Sequence, residues 1–145
     1  MTIKSKLTKK ERITVTNLVT NILDIYKDFY ITKNNLRLFI KDNLDILFQD
    51  LKKGDKVTFN DKGLIVVCGF SDKANRKYIK ILTENLETAN ELLKEIITKF
   101  NDIQLYVKLK KNNPVLKVFY DNKFYFNGDR GREILLVRNS EKINA

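Results

Sequence analysis

The sequence contains no histidine and only one cysteine, Cys68, in 145 residues. Zinc centres, Cys–His pairs and Ser–His triads depend on one or both of these residue types, so this chain cannot form such sites by itself. Cys68 lies within the apolar run Leu64 to Phe70. A thiol in such a run is typical of a protein interior, and we interpret Cys68 as structural rather than nucleophilic. We therefore expect no metal site.

Long hydrophobic runs are also missing from the sequence. A membrane span needs about 18 consecutive apolar residues, and a secretory signal needs an apolar core behind its basic start. Neither pattern occurs, so we expect a cytoplasmic protein without a membrane partner. With 43% hydrophobic residues, a chain of this length suits one compact domain. We predict that domain over residues 8–138, with a flexible N-terminal tail (1–7) and a C-terminal tail (139–145).

The formal net charge is +10, from 28 basic and 18 acidic side chains. Such an excess favours a polyanionic partner: nucleic acid, a phosphorylated cofactor or an acidic protein. Lysines scattered over helix surfaces are equally explained by an AT-rich genome's preference for Lys, Asn and Ile. Charge alone leaves both explanations open.

Two amphipathic helices are predicted before the first strand. Thr8 and Glu11 have the spacing of a capping box, so a helix should begin there and extend to about Asp28. Its apolar residues recur every three or four positions: Val15, Leu18, Val19, Ile22, Ile25, Tyr26 and Phe29. The same periodicity predicts a second helix from about Asn35 to Lys52, ended by Gly54.

A hairpin and a third strand are predicted next. Lys56–Phe59 and Leu64–Phe70 flank the turn Asn60-Asp61-Lys62-Gly63, in which Gly63 would supply a left-handed residue. Leu64–Phe70 is apolar on both faces and belongs in the middle of a sheet. Arg76–Leu82 alternates in polarity and is predicted as a strand that is wetter on one side.

A helix from Asn85 to about Phe100 and a strand from Ile103 to Leu109 complete a strand–helix–strand unit. Such a crossover should be parallel and right-handed.

Pro114 cannot extend the ladder, so a short helix should follow and end at Asp121-Asn122. A closing hairpin then surrounds Asn127 to Gly131, whose two glycines allow positive φ. The predicted fold is α+β (α/β), with one mixed sheet and the order ααβββαβαββ.

The order of a strand, an asparagine-containing loop, a short helix with Phe119-Tyr120 and a hairpin after Phe124 resembles the C-terminal half of the GCN5-related N-acetyltransferase (GNAT) superfamily. More narrowly, several segments are similar to small phage-encoded acetyltransferase-like proteins: Lys110 to Pro114, Phe124, Gly128, Arg130-Gly131 and Glu133 to Leu136. The resemblance covers Lys56 to Arg138. It implies a GNAT-like fold that moves an acetyl group from acetyl-CoA to an amine of a small molecule or a protein.

The resemblance also implies a cofactor site where the third strand meets the following helix. In the family, glycines and helix N–H groups at this junction bind the pyrophosphate. Here the aligned segment is Glu84 to Ala89, a degenerate form in which only Ala89 fits. Glu84 and Glu87 would repel a phosphate, or they simply complement the helix dipole. The implied cofactor contacts are Ile79, Ile81, Leu82, Asn85, Thr88, Ala89 and Asn113. Asn113 before Pro114 is equally an ordinary turn residue.

For catalysis, the resemblance implies a tyrosine on the short helix that protonates the leaving thiolate. Counting back from Phe124 by the family's usual offset reaches Phe119, and Lys123 stands where glycine is usual. A shift of one residue would place Tyr120 in this role; otherwise Tyr120 is an amphipathic edge residue.

Two alternatives come from other classes of protein. Basic residues interleaved with tyrosines predict a nucleic-acid-binding face, with Lys108, Lys110, Lys111, Lys117 and Arg130 as its contacts. A catalytically inactive GNAT-like phage protein that binds a host protein, in the host cytoplasm, fits the degenerate phosphate junction as well.

Overall fold

The structure is a computed structural model that describes residues 3–26, 56–68, 76–111 and 113–141. Three helices and six strands lie within these ranges: α1 (Lys9–Tyr26), β1 (Lys56–Asn60), β2 (Gly63–Cys68), β3 (Arg76–Thr83), α2 (Leu86–Lys99), β4 (Gln104–Lys110), α3 (Leu116–Asp121), β5 (Tyr125–Arg130) and β6 (Glu133–Arg138). The second predicted helix, Asn35 to Lys52, lies outside the described residues. None of the helices in the described ranges has the length and apolar content needed to cross a bilayer.

All six strands form one mixed sheet in the order β1-β2-β3-β4-β6-β5. The β3–β4 pair is parallel and the other neighbouring pairs are antiparallel. The predicted fold class and the parallel crossover through α2 are therefore confirmed. β2 lies between β1 and β3 and is buried throughout, which explains why its sequence is apolar on both faces.

The sheet separates two hydrophobic cores. On one side, which we call the α2 face, α2 and α3 pack on alternate strand residues such as Ile65, Ile79 and Val107. On the other side, the α1 face, Val15, Leu18 and Ile22 of α1 pack with residues of the opposite strand parity, including Leu64 and Val66. The period of two along each strand decides which residues face which core.

The predicted capping box begins α1. Thr8 Oγ1 accepts a hydrogen bond from the Glu11 backbone N–H at 3.1 Å, and Glu11 Oε1 accepts one from the Thr8 N–H at 3.0 Å. The residues before the helix are not a free tail, which corrects the prediction for residues 3–7. Lys4 exchanges backbone hydrogen bonds of 2.7 and 2.8 Å with Val57, its side chain forms an ion pair with Glu11, and Leu7 is buried.

The C-terminal segment up to residue 141 also differs from the predicted tail. The Glu141 backbone N–H donates to the Asn101 carbonyl at 2.8 Å, and Ser140 is buried. The chain after β6 is therefore anchored to the turn that precedes β4, up to residue 141.

Two glycine predictions are corrected by the structure. Gly63 belongs to β2 and does not have positive φ; it lies against Thr83, which pairs with it on β3. In the closing hairpin only Gly131 has positive φ, at 81°. Gly128 belongs to β5, which continues to Arg130 past a bulge at Asn127, so the turn is shorter than predicted.

Candidate functional site

The parallel pair β3–β4 opens partway along its length. Paired residues run from Arg76–Gln104 to Ile79–Val107, whereas β3 continues to Thr83 and β4 to Lys110. Beyond that point β3 stays paired with β2, and β4 stays paired with β6. The two halves of the sheet diverge, so the edge of β3 from Lys80 to Thr83 lacks a β4 partner. Backbone groups on such an edge can bind an extended ligand.

Tyr78 lies at the start of this opening, on the α1 face. Its half-buried ring packs edge-to-face on Tyr106, with 5.3 Å between ring centroids. Burial raises the pKa of Tyr78 to about 12, with further contributions from the charges of Glu133 and Cys68, while a hydrogen bond from the Lys108 backbone N–H acts in the opposite direction. The phenol is therefore neutral at ordinary pH.

The helices that follow the two diverging strands form a cleft of about 430 Å³. α2 comes directly after β3, and α3 follows β4, so both helices begin near the open ends of the strands. The cleft is lined from both helices: Leu86, Glu87, Asn90, Lys94, Lys117, Val118, Asp121 and Asn122. Asn122 Nδ2 donates to Asn90 Oδ1 at 2.9 Å and to the Val118 carbonyl at 2.8 Å, which joins α3 to α2.

The start of α2 is already capped by the protein itself. Asn85 Oδ1 accepts a hydrogen bond of 2.7 Å from the Thr88 N–H, and the Asn85 carbonyl accepts one of 3.2 Å from the Ala89 N–H. Thr88 and Ala89 are buried. These contacts leave the N–H groups of Leu86 and Glu87 for a ligand. The three predicted residues Asn85, Thr88 and Ala89 thus lie at the predicted junction but are used in capping the helix.

The other predicted cofactor contacts are also largely internal. Ile79 and Ile81 are buried in the α2-face core and Leu82 in the α1-face core, so only their backbones could meet a ligand. Asn113 is buried, and its Oδ1 accepts a hydrogen bond of 3.0 Å from the Val115 N–H. This contact makes Asn113 a turn residue at the entry to α3.

Tyr120 lies on α3 with 45% of its surface exposed and is not among the residues that line the cleft between α2 and α3. Its neighbour Phe119 is fully buried and packs edge-to-face on Phe124 at 4.8 Å. Lys123, where the family usually has glycine, has a φ of 69°. The left-handed conformation explains why glycine suits this position.

The predicted nucleic-acid contacts do not form one face. Lys108 lies between Val107 and Leu109, which face the α2-face core, so its side chain is on the α1 face. Lys117 is on α3, on the other side of the sheet. Lys111 forms an ion pair of 2.8 Å with Asp129, whose carboxyl pKa it lowers. Lys110 and Arg130 both pair with Glu133 and lie on the α1 face with Lys108. Lys117 is therefore separated from these three residues by the sheet, and nucleic-acid binding stays a prediction.

Sequence reasoning named Glu87 and Lys117 but missed Lys94, which the cleft brings together with them. Lys94 lies within the periodic stretch of α2, where it has the pattern of an ordinary solvated position, and only contact between α2 and α3 brings it near Lys117. In the described ranges, no group of three or more His, Cys, Asp or Glu side chains is arranged to hold a metal ion.

Several solved structures similar to this chain are acetyltransferases. The PaiA N-acetyltransferase from Thermoplasma acidophilum in complex with coenzyme A is similar over 96% of this chain and 99% of its own, with 15% identity and a TM-score of 0.70. The RimL ribosomal L7/L12 alpha-N-protein acetyltransferase, also with coenzyme A, gives 13% identity, coverage of 96% and 94%, and a TM-score of 0.64. A spermidine N-acetyltransferase SpeG chimera from Vibrio cholerae and hSSAT covers 100% of both chains at 13% identity, with a TM-score of 0.58.

No protein-family model and no curated protein matches the sequence. The chain thus shares the GNAT fold along nearly its whole length, at identities that carry information about the fold only.

Proposed function

We propose that this protein is an N-acyltransferase that moves an acetyl group from acetyl-CoA to an amine. The observation that carries the proposal is the opening between β3 and β4, because each of these strands is followed in the chain by one of the two helices, α2 and α3, that line the cleft. A thioester held in the opening would lie beside an unpaired strand edge, and the rest of the cofactor would extend between the two helices.

The cleft residues define how the cofactor would be held. Lys94 and Lys117 would pair with its phosphates, and the N–H groups of Leu86 and Glu87 would add backbone donors at the helix start. The carboxylates of Glu87 and Asp121 oppose them. Two lysines against two carboxylates leave the cleft close to neutral, so we expect modest affinity.

Tyr78 and Tyr120 would have different tasks. With a pKa of about 12, Tyr78 is a poor proton donor to a thiolate and stays neutral beside the thioester, whose oxygen would be held by N–H groups of the unpaired β3 edge. Tyr120, on α3, is the proposed proton donor for the leaving thiolate. The acceptor amine belongs to a small molecule or a protein.

Calorimetric titration with acetyl-CoA tests the proposal. We expect a dissociation constant of micromolar order, typical of enzyme substrates. Lys94→Ala and Lys117→Ala should each weaken binding about fivefold, because each removes one partner of a phosphate at short range. Lys10→Ala, which removes an exposed lysine at the start of α1, is the matched control and should leave binding unchanged. Absence of binding at millimolar acetyl-CoA would contradict the proposal.

A catalytically inactive form of the same fold, which binds a host protein or nucleic acid, is the second candidate. It is favoured by the capped start of α2, where the Thr88 N–H donates to the Asn85 side chain rather than to a ligand. The same titration separates the two candidates, since only the enzyme requires acetyl-CoA. Salt-dependent retention on DNA without acetyl-CoA binding would support the nucleic-acid form.

A further inference from the structure

A second cavity, of about 310 Å³, lies at the end of the sheet where β5 begins and β6 ends. It is lined by Lys123, Tyr125, Arg138, Asn139 and Glu141. None of these residues lines the cleft between α2 and α3. Arg138 is the centre of this group, and we call the cavity the Arg138 pocket.

Arg138 is a buried cation, and one of its guanidinium nitrogens has no hydrogen-bond partner among the described residues. Only 6% of the residue is exposed. Its Nε donates to the Asn122 carbonyl at 3.3 Å, and its Nη2 forms an ion pair of 2.7 Å with Glu141. Nη1 is buried without a hydrogen-bond partner. A buried guanidinium without a full set of acceptors carries a desolvation penalty, so an anion bound beside it in the pocket would be favoured.

The neighbouring side chains also present donors. Asn139 Oδ1 accepts hydrogen bonds of 3.2 Å from Tyr125 Oη and from Gln104 Nε2. Because its oxygen is used twice, the amide of Asn139 has its NH₂ group left to donate. Lys123 adds an exposed cation at the rim. Among the described residues of the lining, Glu141 is the one carboxylate, with 56% of its side chain exposed, and it opposes an anion there.

We propose that the Arg138 pocket binds a small oxyanion, through phosphate or carboxylate oxygens that pair with the Arg138 guanidinium and accept hydrogen bonds from Asn139 and Lys123. The guanidinium is held in place by its bonds to Asn122 and Glu141, so little side-chain freedom would be lost on binding. The volume suits a small organic acid or a phosphate monoester. This site is separate from the proposed acetyl-CoA cleft and does not depend on it.

Titration of the full chain with inorganic phosphate, and separately with acetate, tests the proposal. Backbone amide NMR shifts would be followed at constant ionic strength, maintained with sodium chloride. We expect saturable backbone shifts at Lys123 and Asn139, together with a shift of the Arg138 side-chain Nε–H, with at least one of the two anions. The anion that binds more tightly identifies the preferred oxygen acceptor.

Two variants avoid the risk that replacing buried Arg138 prevents folding. Lys123→Gly removes the rim cation while placing glycine at a positive-φ position, so it should fold at least as well and weaken anion binding about three- to tenfold. Glu141→Gln removes the opposing charge and should tighten binding by a similar factor. Lys94→Ala, in the other cleft, is the control and should leave these shifts unchanged.

Three results would overturn the proposal: no saturable shift with either anion at tens of millimolar, shifts confined to the cleft between α2 and α3, or an affinity that neither Lys123→Gly nor Glu141→Gln changes.

Discussion

Gly63 lies so close to the neighbouring strand β3 that a side chain does not fit at this position. A Cβ at this position would lie 2.9 Å from the Thr83 Cα and 2.5 Å from its Cγ2. Gly63→Ala should therefore lower the free energy of unfolding by about 1–3 kcal/mol, since the paired backbone cannot move away freely.

Urea unfolding measures this effect against Gly128→Ala as the matched control. The Cβ of that variant would meet only Arg130 Nε, at 3.8 Å, and both variants restrict the unfolded chain equally. Equal stabilities of the two variants would show that the contact with Thr83 is not a constraint.

Glu84 precedes α2 and Glu87 lies in its first turn. Of the two, only Glu87 lines the cleft. Glu87→Gln should tighten acetyl-CoA binding about fivefold, because it removes a carboxylate beside the proposed phosphate position. Glu84→Gln is the matched control and should change the dissociation constant little. Calorimetric titration of both variants checks this, and equal effects would remove Glu87 from the proposed site.

Tyr78 should make stability depend on pH in the alkaline range. Its pKa is raised from 10.0 to about 12 in the folded protein, chiefly by burial. The folded state therefore holds the phenol proton more tightly than the unfolded state, and this contribution is lost as the pH rises from about 10 towards 12.

Urea unfolding of the wild type and Tyr78→Phe between pH 9 and 11 would reveal this dependence. We expect the wild type to lose more stability over that range than the variant, which has no phenol to ionise. Parallel pH profiles would mean that Tyr78 is solvated much as in the unfolded chain.

At the scale of elements, the start of α1 is tied to β1 through Glu11. Its carboxyl pKa is lowered from 4.5, first by the hydrogen bond from Lys4 and then by the Thr8 N–H. A lowered pKa adds stability that is present above pH 4.5 and is lost as the pH falls through the folded-state value.

Glu11→Gln should accordingly destabilise the protein at pH 7, and the difference from the wild type should shrink as the pH falls below 4.5. Urea unfolding at several pH values measures it, with Glu91→Gln, an exposed acidic position on α2, as the control. A difference that is independent of pH would exclude the ion pair as its cause.

Elements with a clear apolar period were the ones that could be predicted from the sequence. The pattern of Ala89, Leu92, Leu93 and Ile96 reports burial on one helix face, and the structure buries all of them. Turns were less predictable. Glycine is needed at position 63 because Thr83 on another strand leaves no space for a side chain, and not because the backbone there has positive φ. Sequence neighbours alone do not contain that information.

At the scale of the whole molecule, the sheet order and its opening decide where a ligand can bind. Pairing of β3 with β2 and of β4 with β6 continues after β3 and β4 separate, and α2 and α3 begin beside the gap. The motif-based site was predicted at the junction of β3 and α2, where its residues serve as helix cap and core. Lys94, Lys117 and the Arg138 pocket depend on contacts between distant segments, which no local pattern reveals.

The most direct test of this account compares backbone amide NMR shifts on binding acetyl-CoA and on binding CoA. The two ligands differ only in the acetyl group, so the difference between their shifts locates that group. We predict that it concentrates at the opening, from Tyr78 to Thr83 and at Lys108, while both ligands perturb Leu86 and Glu87. Differences confined to residues away from the β3–β4 opening, or no binding of either ligand, would contradict the account.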